Sequence, residues 1–384
     1  MKTSKFPARW GALVLGIIWG VAQAQAIDDP IARLMTEGWR SQTSHELVQR
    51  KSPVIRPVDP VADRASLPDS LSQSLAVADQ RFDGTPTRAV LIARQGTVIY
   101  ERYAPGKADR HSTPIGYSMS KSLVSLAVGR ALCDGHIPSL EARVHSLVPG
   151  LAGTSWGNAS VADLLKMASG AFRTNALQAS GWKDAKDAQV HRQIYGRQLQ
   201  RSYLDLMREV DAKAVDPGAT FNYNNYDTIA LNILVEKATG KKFSRYFEEV
   251  VWDDVGPEAP GAWVTNQAGE VAGYFGFSAT PRDWLRIGLY VLERLDRDDC
   301  LGRYLKAATR EQIQANWLFN RSYGYQIWTQ CTRVAGSFCF IGANGQQLIF
   351  HPETRTVLYV HSVSTSTNTV WREMFVSIAS APSR

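Results

Sequence analysis

Ser118-Met119-Ser120-Lys121 stands at the head of an apolar run, Leu123 to Leu132, with the composition of a buried helix. Positions three apart share a helix face, so the Ser118 hydroxyl and the Lys121 amine can converge on one point. A serine hydroxyl is too weak an acid to attack a carbonyl at neutral pH. An amine desolvated at a buried helix start loses part of its preference for the charged form and can take that proton. The pair therefore predicts a nucleophile, Ser118, with its own base, Lys121. The same residues would also make an ordinary helix start, with Ser118 as N-cap and Lys121 in water. A second copy, Ser180-Gly181-Trp182-Lys183, lies in a polar stretch with no apolar helix behind it and reads as coincidence.

Two further segments could complete the chemistry. Tyr223-Asn224-Asn225 follows the turn Pro217-Gly218 and precedes a helix, so its side chains lie at a loop edge. A phenol beside a lysine ammonium ionises more readily because the cation favours the anion, so Tyr223 could relay a proton while Asn225 holds the substrate. A polar turn with Asn as helix cap fits the same residues. Phe340-Ile341-Gly342-Ala343-Asn344-Gly345 joins two strand-like runs. Glycines there let another group approach the backbone, and an outward N–H can pair with that of Ser118 as an oxyanion hole. An ordinary hairpin connection is the alternative.

Ser-x-x-Lys, then Tyr-x-Asn about 100 residues on, then a Gly-rich segment about 120 further, resembles the serine β-lactamase and penicillin-recognising family. The match is closest to its class C β-lactamase-like branch, which includes esterases, D-aminopeptidases, DD-peptidases and 6-aminohexanoate-oligomer hydrolases. Leu164 to Gly170, Pro217 to Tyr223 and Gly276 to Asp283 carry the same likeness, which spans roughly Ala89 to Val360. The resemblance implies Ser118 as nucleophile, Lys121 as base, Tyr223 as proton relay, Asn225 as a substrate contact, and the Ala343 N–H after Gly342 as the second oxyanion donor. One departure is chemical. Where relatives carry Lys-Thr-Gly or His-Thr-Gly, this chain has Phe340-Ile341-Gly342. Phe340 cannot pair with a substrate carboxylate, which favours an uncharged acyl substrate over a penicillin unless an arginine from elsewhere substitutes. A nucleophile elbow of the α/β-hydrolase type is excluded, since Gly116-Tyr117-Ser118-Met119-Ser120 ends in Ser where that turn needs Gly.

The elements that must position these residues follow from patterning. Ser70 to Phe82 predicts an amphipathic helix. Ala89 to Arg94 and Thr97 to Glu101 predict a hairpin about Gln95-Gly96. The tetrad's helix should stop near Cys133, at Asp134-Gly135. From there to about Gly273 the chain reads as helical with long loops, followed by a helix over Pro281 to Leu295. Strands are expected at Tyr325 to Thr329, Gln347 to His351 and Val357 to His361, with a closing helix over Thr369 to Ala379. Strands at both ends with helices between them predict an α/β (α+β type) fold. Its central antiparallel sheet is flanked by helices and completed by N- and C-terminal pieces, with a mostly helical lobe, about 134–273, inserted. The cleft between the lobes is the expected site, with Trp182, Tyr195 and Tyr274 as candidate specificity residues.

At 384 residues the chain can bury a full core. Lys2, Lys5 and Arg9 precede the apolar run Trp10 to Val21 and the small-x-small pattern up to Ala26, which predicts an export signal over 1–26. Residues 27–67 read as an extended lead-in and 68–384 as the hydrolase domain. The apolar run falls short of the roughly 20 residues that span a bilayer, so no stable membrane insertion is expected. Net charge is +7, of which the signal carries three, leaving a modest +4. No basic block interleaves with aromatics, so nucleic acid is not an expected partner. Cys331 and Cys339 flank Ala335-Gly336 as cross-strand residues of a hairpin would, which favours a bridge between them in an oxidising compartment; Cys133 and Cys300 remain by elimination. Without CxxC pairs, HExxH or clustered histidines, neither a metal nor another cofactor is expected. The chain is thus expected to be a periplasmic or secreted serine hydrolase of small esters or amides. The alternatives are a DD-peptidase or weak β-lactamase, and an inactive binding or sensor protein of the same fold.

Overall fold

The computed structural model describes residues 38–41, 44–58, 60–171, 202–317 and 320–382. The segment read as a signal and the Ser180 copy of the motif lie outside them, as do Trp182 and Tyr195.

Eight strands form one antiparallel sheet. In chain order they are β2 (Thr87–Arg94), β3 (Thr97–Tyr103), β6 (Ile313–Trp317), β7 (Asn320–Tyr323), β8 (Trp328–Thr329), β9 (Phe338–Ile341), β10 (Gln347–His351) and β11 (Thr356–Ser362). Their spatial order is β3-β2-β11-β10-β9-β8-β7-β6. The N-terminal hairpin therefore joins the C-terminal strands through β2 and β11, with Leu91 opposite Tyr359. Gln95 and Gly96 take φ of 52° and 82°, the left-handed pair that a two-residue hairpin turn needs.

Period-two alternation sends the two faces of this sheet to different helices. Val90, Ile92, Ile349, Leu358 and Val360 face α1 (Asp69–Asp83) and α6 (Thr367–Ser380), packing on Leu71, Leu75, Trp371 and Phe375. Ala89, Leu91, Leu348, Val357 and Tyr359 face α4 (Pro281–Leu295), α2 (Met119–Cys133) and the helical lobe. The lobe is built on α3 (Asn225–Thr239), which packs against α2. A disulfide from Cys133 to Cys300 ties the end of α2 to the start of α5 (Cys300–Ala308), and a second joins Cys331 to Cys339 across the β8–β9 hairpin. No helix among the described residues is long and apolar enough to cross a membrane.

Three expectations are corrected. The lead-in is not merely extended: β1 (His45–Val48) pairs with β4 (Gly261–Val264), which pairs with β5 (Phe277–Ser278), giving a small second sheet beneath the lobe. Four residues are too few to show alternation. The C-terminal strands begin at Ile313 rather than at Tyr325, because β6 and β7 fold back as a hairpin at the sheet edge. Tyr325 to Ile327 is a turn, and only Trp328 and Thr329 of the expected strand pair with neighbours. Gln326 breaks that run at φ 57°, and its carboxamide is spent on contacts outside the sheet.

Candidate active site

Ser118 enters α2 through a tight approach. Gly116 donates its N–H to the Phe277 carbonyl at 2.7 Å, and Tyr117 takes a φ of 48°. A non-glycine residue in that region costs about 1–3 kcal/mol, a strain that the surrounding packing must hold. The Ser120 hydroxyl accepts the Phe277 N–H at 2.9 Å and fastens the first turn to β5. Ser118 itself has helical φ and ψ, and its side chain makes no cap hydrogen bond. The ordinary-cap alternative does not describe it.

Its hydroxyl instead meets Lys121, whose Nζ lies 3.1 Å from Oγ. Nζ also donates to the Tyr274 carbonyl at 2.7 Å. The lysine is 1 % exposed and has no carboxylate in ion-pair range among the described residues. Burial alone pushes its pKa well below the ordinary lysine value. Burial thus favours the neutral form, which, held by one carbonyl, would offer its lone pair to the serine proton.

Tyr223 presents its ring to this amine, with Nζ 5.1 Å from the centroid, and stacks on Trp328 at 5.4 Å. Asn224 is the N-cap of α3, its Oδ1 accepting the Asp227 N–H at 2.9 Å. Asn225 is the first helical residue. It is buried, while Tyr223 of the same segment lines the cavity with Ser118. Asp227 lies beneath, receiving Trp156 Nε1 at 3.0 Å and the Ser169 N–H at 3.3 Å.

Burial pushes the Asp227 carboxyl up to about 7, although its hydrogen bonds pull the other way. Its folded pKa stands above the ordinary carboxylate value, so between about pH 4 and pH 7 the unfolded chain has released a proton that the folded chain keeps. Stability should therefore fall as pH rises through that window and level off above it. Melts of the wild type and Asp227→Asn across pH 4–8 should give a shallower slope in the variant. Equal slopes would remove Asp227 as the source.

On the facing side, β9 delivers Gly342 and Ala343 to the mouth of the site. A Cβ on Gly342 would fall 2.2 Å from the Gly116 carbonyl, so this strand end touches the loop that carries the serine. The N–H groups of Ser118 and Ala343 have no acceptor among the described residues and are open to a carbonyl oxygen. Phe340 points away, fully buried and 4.9 Å from the Phe350 ring, while Ile341 faces the cavity.

The cavity encloses about 610 Å³. Ser118, Tyr223, Trp328, Ile341, Gly342 and Ala343 line it, with Asn320 and the α6 residues Asn368, Thr369 and Arg372 opposite. Tyr274, a candidate specificity residue in the sequence, is wholly buried and acts on the site through its carbonyl. Sequence reasoning missed Trp328, Asn320 and Arg372, and also Gln326. The Gln326 amide donates to the Leu164 carbonyl and accepts from Thr228, while its backbone carbonyl accepts from Ser122, so one residue ties α2 to α3 and to the Leu164 segment of the lobe. Nothing in the residue pattern signalled it, since Tyr325 to Thr329 has the composition of an unbroken strand.

The fold is that of the serine β-lactamase and penicillin-binding class. The chain belongs to the Beta-lactamase family of hydrolases, whose model matches residues 76–382. Among curated proteins it is similar to the 6-aminohexanoate-dimer hydrolase of Paenarthrobacter ureafaciens, 27% identical over 329 residues, covering 81% of this chain and 80% of that one. A Bacillus anthracis structure provisionally named 6-aminohexanoate-dimer hydrolase superposes with a TM-score of 0.73 at 20% identity, over 92% of this chain and 95% of that one. EstCE1, a hydrolase with promiscuous acyltransferase activity, superposes with a TM-score of 0.65 at 14% identity, over 81% and 98%.

Proposed function

We propose that this protein is an exported serine hydrolase that cleaves an ester or amide through an acyl-enzyme on Ser118. The observation that carries the reading is the buried Lys121 amine, with no carboxylate partner among the described residues, 3.1 Å from the Ser118 hydroxyl. In the first half-reaction Lys121 Nζ takes the Ser118 proton as Oγ attacks the carbonyl carbon, and the Ser118 and Ala343 N–H groups receive the oxyanion. The proton passes through Lys121 and Tyr223 to the departing alkoxide or amine. Water then attacks the acyl-enzyme, giving its proton back along the same path and freeing the acid. Asn225, two residues on from Tyr223, is the proposed substrate contact. The substrate is a small ester or a linear amide, by likeness to relatives named for 6-aminohexanoate-dimer hydrolysis and for acyl transfer.

The domain reading is that residues 68–384 form the catalytic unit and 27–67 brace it through β1, after removal of 1–26. Two disulfides fit an oxidising compartment.

Intact-mass analysis with a fluorophosphonate is expected to show one adduct on the wild type and none on Ser118→Ala. Penicillin, lacking a cation at position 340, is expected to leave little adduct. Fluorophosphonate labelling that persists in Ser118→Ala would sink the assignment.

A further inference from the structure

Two disulfides cross this chain, and their places in the fold give them different roles. Cys133–Cys300 closes a separation of 167 residues and joins α5 to the far end of the 15-residue α2, roughly 20 Å along that helix from Ser118. Cys331–Cys339 closes a separation of only 8. The entropy that a bridge removes from the unfolded chain grows with the loop it closes, so the short bridge contributes less to global stability. It lies instead behind the active site.

β8 is a strand of two residues, paired with Ser322 and Tyr323 of β7 on one side and with Phe338 and Cys339 of β9 on the other. The chain leaves the ladder at both of its ends, through left-handed φ of 57° at Gln326 and 52° at Gln330. Beyond Thr329 the hairpin is closed by the Gln330 N–H on the Ser337 carbonyl at 3.0 Å, by the Thr332 and Ser337 hydroxyls 2.7 Å apart, and by the disulfide. Each strand of this short ladder carries a part of the site. Trp328, the register partner of Cys339, is the ring on which Tyr223 stacks. Period-two alternation puts Cys339 on the same face of β9 as Ile341, which lines the cavity, and β9 then runs directly into Gly342 and Ala343. Cys339 is wholly buried and Cys331 nearly so, in one cluster with Trp328 and Tyr323 against which Tyr223 packs. A slip of β8 against β9 would therefore shift the phenol relative to the oxyanion donor.

We infer that Cys331 and Cys339 are positioning residues for the Ser118 reaction, their bridge holding the Tyr223 platform on β8 and the Ala343 N–H beyond β9 in one rigid hairpin. The inference rests on the Ser118 hydrolase reading. Neither cysteine touches a reacting atom; both act through Trp328 and the end of β9.

The test opens each bridge by itself. Cys331→Ala/Cys339→Val removes the short bridge while keeping apolar volume in the core, and Cys133→Ala/Cys300→Ala removes the long one. Each variant is assayed for kcat and KM on 4-nitrophenyl butyrate well below its Tm, and its Tm is measured beside the wild type. Opening Cys331–Cys339 should lower kcat about tenfold with KM within about twofold, the response of reacting groups held too loosely. Opening Cys133–Cys300 should lower Tm more and leave kcat within about twofold of the wild type. A merely structural role would give the opposite order, with the rate following stability. Wild-type kcat in Cys331→Ala/Cys339→Val, a loss carried by KM, an equal loss of kcat from opening either bridge, or a Cys331→Ala/Cys339→Val chain that no longer melts cooperatively overturns the inference and leaves the short bridge to the fold. Turnover that disappears in Ser118→Ala in any of those cases leaves the hydrolase reading standing, and turnover that persists there overturns both.

Discussion

Lys121→Met is expected to lower kcat/KM by about 10³-fold or more while the protein still folds, because it removes the proposed base and little else. Methionine is nearly isosteric with the lysine stem, and the site is already 1 % exposed. What is lost is the 3.1 Å contact to Ser118 and the 2.7 Å bond to the Tyr274 carbonyl. Losing that bond costs about 1–3 kcal/mol, which the relief of burying an amine partly offsets. A modest change in Tm is therefore expected beside a large loss of rate. Lys121→Arg separates charge from basicity: a guanidinium cannot give up its proton in a protein, so it should be as inactive as methionine. The wild-type pH profile carries the same signature. Burial depresses the lysine pKa, so the acid limb of kcat/KM should lie well below the range of an ordinary lysine. Near-wild-type turnover in Lys121→Met, or an acid limb at ordinary lysine pH, would show that another group takes the serine proton.

Much of this was legible in the chain, and the reasons are local. The α2 and α4 helices, the Gln95-Gly96 hairpin and the paired outer strands follow from apolar periodicity and from turn residues whose backbone demands are specific. Ser118 and Lys121 meet because three residues of helix bring them together, a geometry that sequence spacing encodes directly. Contacts made across the chain are different. Arg372 reaches the cavity from a closing helix that reads only as amphipathic, and its neighbour Gln347 lies 25 residues away. Gln326 interrupts a run with good strand composition because its amide is worth more bracing Leu164 and Thr228 than pairing in a ladder. Asn225 looked like a loop-edge side chain because the start of α3 could not be placed to a single residue; the cap, Asn224, is followed directly by Asn225 as the first helical residue. Phe340 illustrates the same limit from the opposite side. The missing cation was readable, but period-two alternation had to be anchored by the sheet before Phe340 could be placed in the core and Ile341 at the cavity.

Gly342→Ala is expected to cost about 10²-fold in kcat, the scale of losing an oxyanion donor, through one added methyl group that touches no substrate. The new Cβ would lie 2.2 Å from the Gly116 carbonyl, 2.9 Å from Gln346 Cβ and 3.2 Å from Tyr117 Cβ. Neither side has room to yield. Gly116 is held by its 2.7 Å bond to Phe277, and its own Cα faces the Trp284 ring so closely that a Cβ there would meet it at 2.4 Å. β9 lies between β8 and β10, and the Gly342 N–H is bonded to the Gln346 carbonyl at 2.8 Å. The strain must therefore separate the strand end from the serine loop, which moves the Ala343 N–H away from that of Ser118. Overpacking of this kind costs about 1–3 kcal/mol, so a Tm loss of a few degrees should accompany the loss of rate. Gly84→Ala is the control, since Gly84 ends α1 far from the site with φ −85° and only an ordinary 3.4 Å contact awaiting a Cβ. Because the damage falls on the transition state rather than on substrate capture, kcat should fall much more than KM rises. A Gly342→Ala enzyme with wild-type kcat would mean that the Ala343 N–H does not hold the oxyanion, and that the close approach of β9 to Gly116 serves the fold alone.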